Sequence, residues 1–340
     1  MSVDNIRSRL RPRGKRRRAV VDTKVASGDA STRDNPVKRK KTYPRLRLPA
    51  EDLVNALSKA ARIKSHAAQY SSEIKEYATK SIYGDVEQAF SSTLIFAQAE
   101  GGSAVMVSSS GDILTAAHCL GSSPRVGLQR CLLLSDGTVC VAKATAVDTV
   151  LDIALMKCMF VHDGSTTKQS KAVKKSRRSF PWREACSPFA FAEIMRASDP
   201  DAAILATADA RPSKRSSRRV RQAKLKLPVM CIGQSILTRH TNICLSCGQY
   251  LGVYQGLDPD MGKLMHSAWT YYGTSGGPLF FRGKLIGVHT SWDSATCTRH
   301  GAHWRDIGKF LSRHIRPSRK GKATRSKGRA AGGTRSKEKK

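Results

Sequence analysis

Three short strings carry residues that could do chemistry together: His118 in ILTAAHC, Asp152 in DIAL and Ser275 in GTSGGP. A serine hydroxyl is a poor nucleophile until a neighbouring imidazole takes its proton, and that imidazole needs a carboxylate to fix its tautomer. The pattern therefore suits acyl transfer, with Ser275 as nucleophile, His118 as general base and then acid, and Asp152 as the group that orients the ring. The glycines flanking the serine let backbone N–H groups turn toward a developing oxyanion, and those of Gly273 and Ser275 are the candidate donors. Alone, each string says little, because most His, Asp and Ser residues are structural. Their co-occurrence in the order His, Asp, Ser, each in a fitting context, is the informative fact.

The segments GGSAVMVSSSGDILTAAHC, LLLSDGTVCVAKATAVDTVLDIALMKC and SAWTYYGTSGGPLFFRGKLIGVHTSW resemble a trypsin-like serine peptidase of the chymotrypsin fold, on the HtrA and glutamyl-endopeptidase side of that superfamily. The resemblance runs from about Ser91 to Leu311 with one large interruption. Nothing after Leu311 is long enough for a PDZ domain. It implies an all-β core of two six-stranded antiparallel β-barrels, with His118 and Asp152 on the first and Ser275 on the second.

The same resemblance implies a substrate pocket. Trp269 occupies the place where trypsin carries the acidic residue that selects Arg or Lys, so cleavage after basic residues is not expected. Thr270 and His289 match the pocket positions of glutamyl endopeptidases and related viral proteases, where a hydroxyl and an imidazole bind the end of a Glu or Gln side chain. Thr274 replaces the aspartate that secreted trypsins pair with a newly released N-terminus, and a threonine cannot make that ion pair. Glu100 stands where secreted trypsins have the disulfide partner of Cys119. With nine cysteines and no secretory signal, reduced thiols are expected.

Cys244, Cys247, Cys297 and His300 have spacings compatible with a zinc site. Unligated thiols and a surface histidine are the preferred reading, so no metal and no cofactor are expected.

Around these motifs the chain divides by texture. Residues 1–48 form a basic arm, followed by a helical segment over 49–85. There Leu53, Leu57, Ala60, Ile63, Ala67, Tyr70, Ile74 and Tyr77 share one face, and Pro49, Glu51 and Asp52 suit the start. Short β-type runs separated by Gly, Ser and Asp turns then mark a peptidase domain over 86–312, interrupted by a basic insert at 162–226. Residues 313–340 form a second basic tail.

The net charge of +34 belongs almost wholly to these appendages. Residues 1–41 carry +10, residues 168–226 carry +11 and residues 313–340 carry +11, which leaves the peptidase-like body nearly neutral. Lys/Arg runs of this kind stay solvated and disordered, and repeated clusters of one sign meet polyanions, so DNA or RNA is an expected partner beside a peptide or protein substrate. The clusters Lys15–Arg18 and Lys38–Lys41 read as nuclear-import signals, with cytoplasm and mitochondrion as alternatives. No run of about 18 apolar residues is present, so no membrane span is expected. The leading reading is a nuclear serine endopeptidase with polyanion-binding tails. Two others stay open: a catalytically silent protease fold that binds nucleic acid, and a virus-encoded processing protease.

Overall fold

The computed structural model describes residues 48–98, 101–163, 182–185, 188–209, 227–234, 243–255, 262–294 and 296–315. The two basic tails with their import-like clusters, Glu100 and the most basic stretches of the insert lie outside these residues.

The core is two antiparallel β-barrels. The first comprises β1 (Thr93–Phe96), β2 (Ser103–Met106), β3 (Asp112–Ala116), β4 (Gln129–Leu134), β5 (Val139–Asp148) and β6 (Ile153–His162). These pair in the order β3-β2-β1-β4-β5-β6, and β3 returns to β6 to close the ring. A two-residue strand β7 (Arg183–Glu184) adds to the outside of β6. The second barrel comprises β8 (Leu227–Gln234), β9 (Ile243–Val253), β10 (Leu264–His266), β11 (Pro278–Phe281), β12 (Lys284–Asp293) and β13 (Thr298–His303), closed in the order β10-β13-β12-β11-β8-β9. Closure removes the free edges that so many short strands would otherwise expose.

Local sequence explains the strands and turns. In β5, Ala142, Ala144 and Ala146 are buried while Lys143 and Thr145 are exposed, the period-2 alternation of a barrel wall. The β11–β12 hairpin turns through Arg282 (φ 49°) and Gly283 (φ 78°), the two positive values that a tight hairpin matching strand twist requires. Each barrel has its own apolar filling: Leu94, Phe96, Met106 and Ile113 in the first, Val229, Leu264, Leu279 and Phe281 in the second. A further cluster draws on both barrels at once, joining Leu114 and Leu155 to Ile232, Phe280 and Val288.

The helical segment contributes to that shared cluster through Leu53, Ala56, Ala60 and Ile63 of helix α1 (Ala50–Ser65). Instead of running as one helix through the expected segment 49–85, the chain breaks at His66 and resumes as α2 (Ala67–Ala78) and a 3-10 turn at Ser81–Tyr83. His66 leaves helical geometry (φ −104°, ψ 6°), and its ring Nδ1 meets the Arg62 carbonyl at 2.8 Å. Lys59 ties α1 to the first barrel by donating to the carbonyls of Phe96 (3.1 Å) and Gln98 (3.2 Å) at the end of β1. A short helix α3 (Val86–Ser91), capped by the Asp85 carboxylate accepting from the Gln88 N–H, leads into β1.

Two further helices depart from an all-strand expectation. Within the insert, a less basic stretch forms α4 (Pro200–Asp209), whose Ala202 and Leu205 pack in the second barrel's filling. The end of the domain is α5 (Trp304–His314), which buries Trp304, Ile307, Phe310 and Leu311. That spacing is the period of a helix face, and it overrides the strand pattern carried to Leu311. Among the described residues no helix is long and apolar enough to cross a membrane.

Candidate active site

His118 sits in a 3-10 turn (Ala117–Leu120) that follows β3, and Asp152 sits on the turn joining β5 to β6. The pairing of β3 with β6, with Ala116 opposite Ile153, brings the two turns side by side. Asp152 has φ 52°, an uncommon backbone for a residue with a side chain. Its conformation is held from both directions. Asp148 Oδ1 accepts the N–H groups of Val150 and Leu151 just before it, and the Asp152 carbonyl accepts the Ala117 N–H at 3.0 Å.

The Asp152 carboxylate then reaches His118 twice, with Oδ2 2.7 Å from ring Nδ1 and Oδ1 accepting the His118 backbone N–H at 3.0 Å. This leaves Nε2 as the ring nitrogen available to a hydroxyl. The hydrogen bond to Asp152, followed by the influence of the neighbouring Cys119, holds the His118 pKa above the ordinary histidine value.

Ser275 stands on the turn between β10 and β11, where Gly273 and Gly276 both take positive φ (94° and 80°). The backbone donors of this turn divide into two sets. Thr274 N–H donates to Tyr271 O, Gly276 N–H to His289 O and Gly277 N–H to Thr274 O. Among the described residues the N–H groups of Gly273 and Ser275 have no acceptor. A pair of free donors flanking a serine is the arrangement an oxyanion needs.

The turn is pinned to the first barrel. Ser103 N–H donates to Ser275 O at 2.7 Å, Ser103 Oγ donates to Gly273 O at 2.7 Å and accepts the Gln234 N–H at 2.8 Å, and the Cys119 thiol reaches Ser275 O at 3.3 Å. Thr274 braces the turn from inside, its Oγ1 accepting from Tyr271 N–H and donating to Gln234 O. The structure thus brings Ser275 against the residue that follows His118. Among the described residues the Ser275 hydroxyl makes no hydrogen bond, to the imidazole or to any other group. Such contacts often tighten only when substrate binds.

The pocket candidates gather on the second barrel. His289 on β12 is zipped to the serine turn by backbone bonds to Gly276 and Gly277, both 2.8 Å. Its ring Nδ1 lies 3.3 Å from Nε2 of His266 on β10, with the two rings edge to face. Burial pushes the His289 pKa down to about 3 and that of His266 well below its ordinary value, so both imidazoles are neutral at physiological pH. Thr270 is buried, and its hydroxyl oxygen accepts from Arg299 Nε at 3.1 Å, which leaves the O–H free to donate. Trp269 is half exposed and stacked on Tyr271, with ring centroids 5.8 Å apart and planes 4° from parallel. No carboxylate is offered from its position.

The four possible zinc ligands are not gathered: no group of three or more His, Cys, Asp or Glu among the described residues could hold a metal. His300 is not the surface residue expected. It is buried, with its ring against Tyr254 at 5.2 Å. Sequence reasoning missed Ser103, His266 and Arg299, because none belongs to a local motif and each matters only through pairing distant in the chain.

No curated protein shows significant similarity to the chain. Residues 102–288 match the family described as trypsin-like peptidase domain, a span that contains His118, Asp152 and Ser275 and stops one residue short of His289. With more than half its length covered by that match and its core folded as two six-stranded barrels, the chain belongs to the trypsin-like peptidase domain family.

Proposed function

We propose that the chain is a serine endopeptidase in which Ser275 attacks the scissile carbonyl while His118 Nε2 takes its proton. Asp152 keeps the ring in the tautomer with its proton on Nδ1 and stabilises the imidazolium that forms. The tetrahedral oxyanion would receive the N–H groups of Gly273 and Ser275, each such donor contributing about 10²–10³ in rate. The imidazolium then protonates the leaving amine, and water repeats the sequence to release the acyl group. The observation that carries this reading is the division of backbone donors around Ser275, with Gly273 and Ser275 left free while Thr274, Gly276 and Gly277 are used. Hydrolysis of a peptide library by wild type, with Ser275→Ala and His118→Ala both reduced to background, tests it.

For specificity we propose a Glu or Gln side chain immediately before the scissile bond. Its head group must exchange water for donors inside the pocket, or burial costs several kcal/mol. The free O–H of Thr270 and the imidazole of His289 are the groups on offer. A library profile dominated by Arg, Lys or large apolar residues at that position would remove this assignment and leave Ser275 and His118 untouched.

The charge distribution supports a division of labour. We assign the tails, residues 1–41 and 313–340, to DNA or RNA binding and nuclear import, and the neutral body to hydrolysis. Binding through such tails falls steeply with salt and shows little base preference, since Lys and Arg on phosphates release counterions without reading sequence. Equal affinity of full-length protein and a 42–312 fragment for a nucleic-acid duplex would contradict this.

A further inference from the structure

Arg299 sits on β13, paired with His266 of β10 on one side and Trp292 of β12 on the other, and its side chain turns toward Thr270. Three observations place it there. Its Nε donates to Thr270 Oγ1 at 3.1 Å. The residue is partly buried, as is its bond to Thr270. Its charge bears on the buried groups His266 on β10, His289 on β12 and Cys231 on β8.

None of those neighbours supplies a counter-charge. The two imidazoles are held neutral by burial, and burial pushes the Cys231 thiol up to about 12. Among the described residues Arg299 makes no ion pair and no hydrogen bond beyond Thr270. A guanidinium has five N–H donors, so four remain uncommitted at Nη1 and Nη2. A partly desolvated cation without an anion is costly to keep, unlike the many solvated Lys and Arg of the tails. Its fork geometry matches a carboxylate.

We propose that Arg299 is the specificity-determining residue of the pocket and that it makes the enzyme select a carboxylate side chain, Glu or Asp, over the corresponding amide immediately before the scissile bond. The inference rests on the peptidase reading and on the pocket of Thr270 and His289. It settles what those two residues leave open. A neutral imidazole and a hydroxyl bind Glu and Gln about equally, whereas a permanent cation favours the anion and repels Lys and Arg. Thr270 then has two duties, accepting from Nε to aim the guanidinium and donating its O–H to the substrate.

The test is kcat/KM of the full chain for peptides that differ only in Glu, Asp, Gln or Leu at that position, measured from pH 6 to 9 with wild type, Arg299→Gln and Arg299→Lys. A charge-assisted bond of this kind predicts a carboxylate-over-amide ratio of about 10- to 100-fold in wild type. Arg299→Gln should collapse that ratio toward one, and Arg299→Lys should keep its direction. The wild-type ratio should hold constant across the pH range, because guanidinium does not titrate there. A ratio that survives in Arg299→Gln, or one that fades through the histidine range in wild type, overturns the proposal. The wild-type pH series needs no variant, so a poorly folding Arg299→Gln does not shield it. Wild type that prefers Gln overturns Arg299 alone. Preference for none of Glu, Asp or Gln removes the Thr270–His289 pocket with it, and absence of hydrolysis with Ser275 unlabelled by a fluorophosphonate removes the peptidase reading.

Discussion

Asp152 grips His118 with both carboxylate oxygens, Oδ2 on ring Nδ1 at 2.7 Å and Oδ1 on the backbone N–H at 3.0 Å. One bond fixes the tautomer and the other fixes where the ring is carried, so the orientation of the imidazole depends on a single side chain. Asp152→Asn should lower kcat by about 10⁴, as loss of the correct tautomer does in triads of this kind.

The same pair sets a pH dependence. The general base must be neutral, and Asp152 holds the His118 pKa above the ordinary histidine value. In the free enzyme kcat/KM should therefore rise with pH through a value above about 6.5. Removing the carboxylate charge in Asp152→Asn should move that rising limb to lower pH. For stability the sign is reversed. The pair contributes fully below the unfolded histidine's pKa, and its contribution is lost as pH climbs through the raised folded value. A residual rate in Asp152→Asn with an unmoved limb would show that His118 is not the titrating base.

Ser103 links the barrels at the serine turn. Ser103→Ala strands the Gly273 carbonyl and the Gln234 N–H, each at a cost of about 1–3 kcal/mol. We expect a lower Tm and a kcat loss larger than the change in KM, because the Gly273 donor is no longer held in place. Unchanged kcat with lowered Tm would confine Ser103 to stability.

Gly276 allows no side chain. A Cβ there would lie 2.0 Å from the Ser103 carbonyl oxygen and 2.4 Å from Thr115 Oγ1, and the backbone has φ 80°. Gly276→Ala should abolish hydrolysis and strongly destabilise the chain, read by activity and by thermal unfolding. Near-normal activity would mean that the serine turn is looser than described.

How much of this was legible beforehand follows from how local each cause is. His118, Asp152 and Ser275 announce themselves because a tight turn, a left-handed carboxylate position and free N–H groups each need particular neighbours within a few residues. The barrels were legible from short strands and turn residues for the same reason. Arg299 was not, since one arginine in a chain rich in them reads as surface until β10 and β13 pair and Thr270 meets its Nε. Ser103 was hidden likewise, since Gly273, Gln234 and Ser275, the partners it links across the barrels, lie 131 to 172 residues away in sequence. The break at His66 accompanies a side-chain contact with the Arg62 carbonyl that apolar periodicity cannot register. Helix α5 is legible in the helical spacing of Trp304, Ile307, Phe310 and Leu311, although it follows β13 with no intervening turn residue to mark the change.

The helical segment belongs to the peptidase core. Ile63 of α1 is fully buried in the cluster that both barrels share, so Ile63→Ala should cost about 2–5 kcal/mol of folding stability. Denaturant unfolding measures this directly. A loss under about 0.5 kcal/mol, the scale of an ordinary surface change, would show that α1 is only loosely attached.

Everything proposed for this site depends on Ser275 being a nucleophile activated by His118. The most direct measurement is covalent labelling by a fluorophosphonate, with the modified residue located by mass spectrometry in wild type, Ser275→Ala and His118→Ala. A single adduct on Ser275 is expected in wild type, none in Ser275→Ala, and labelling slowed by several orders of magnitude in His118→Ala. A folded wild-type protein left unmodified at Ser275, or labelled equally fast without His118, would contradict it.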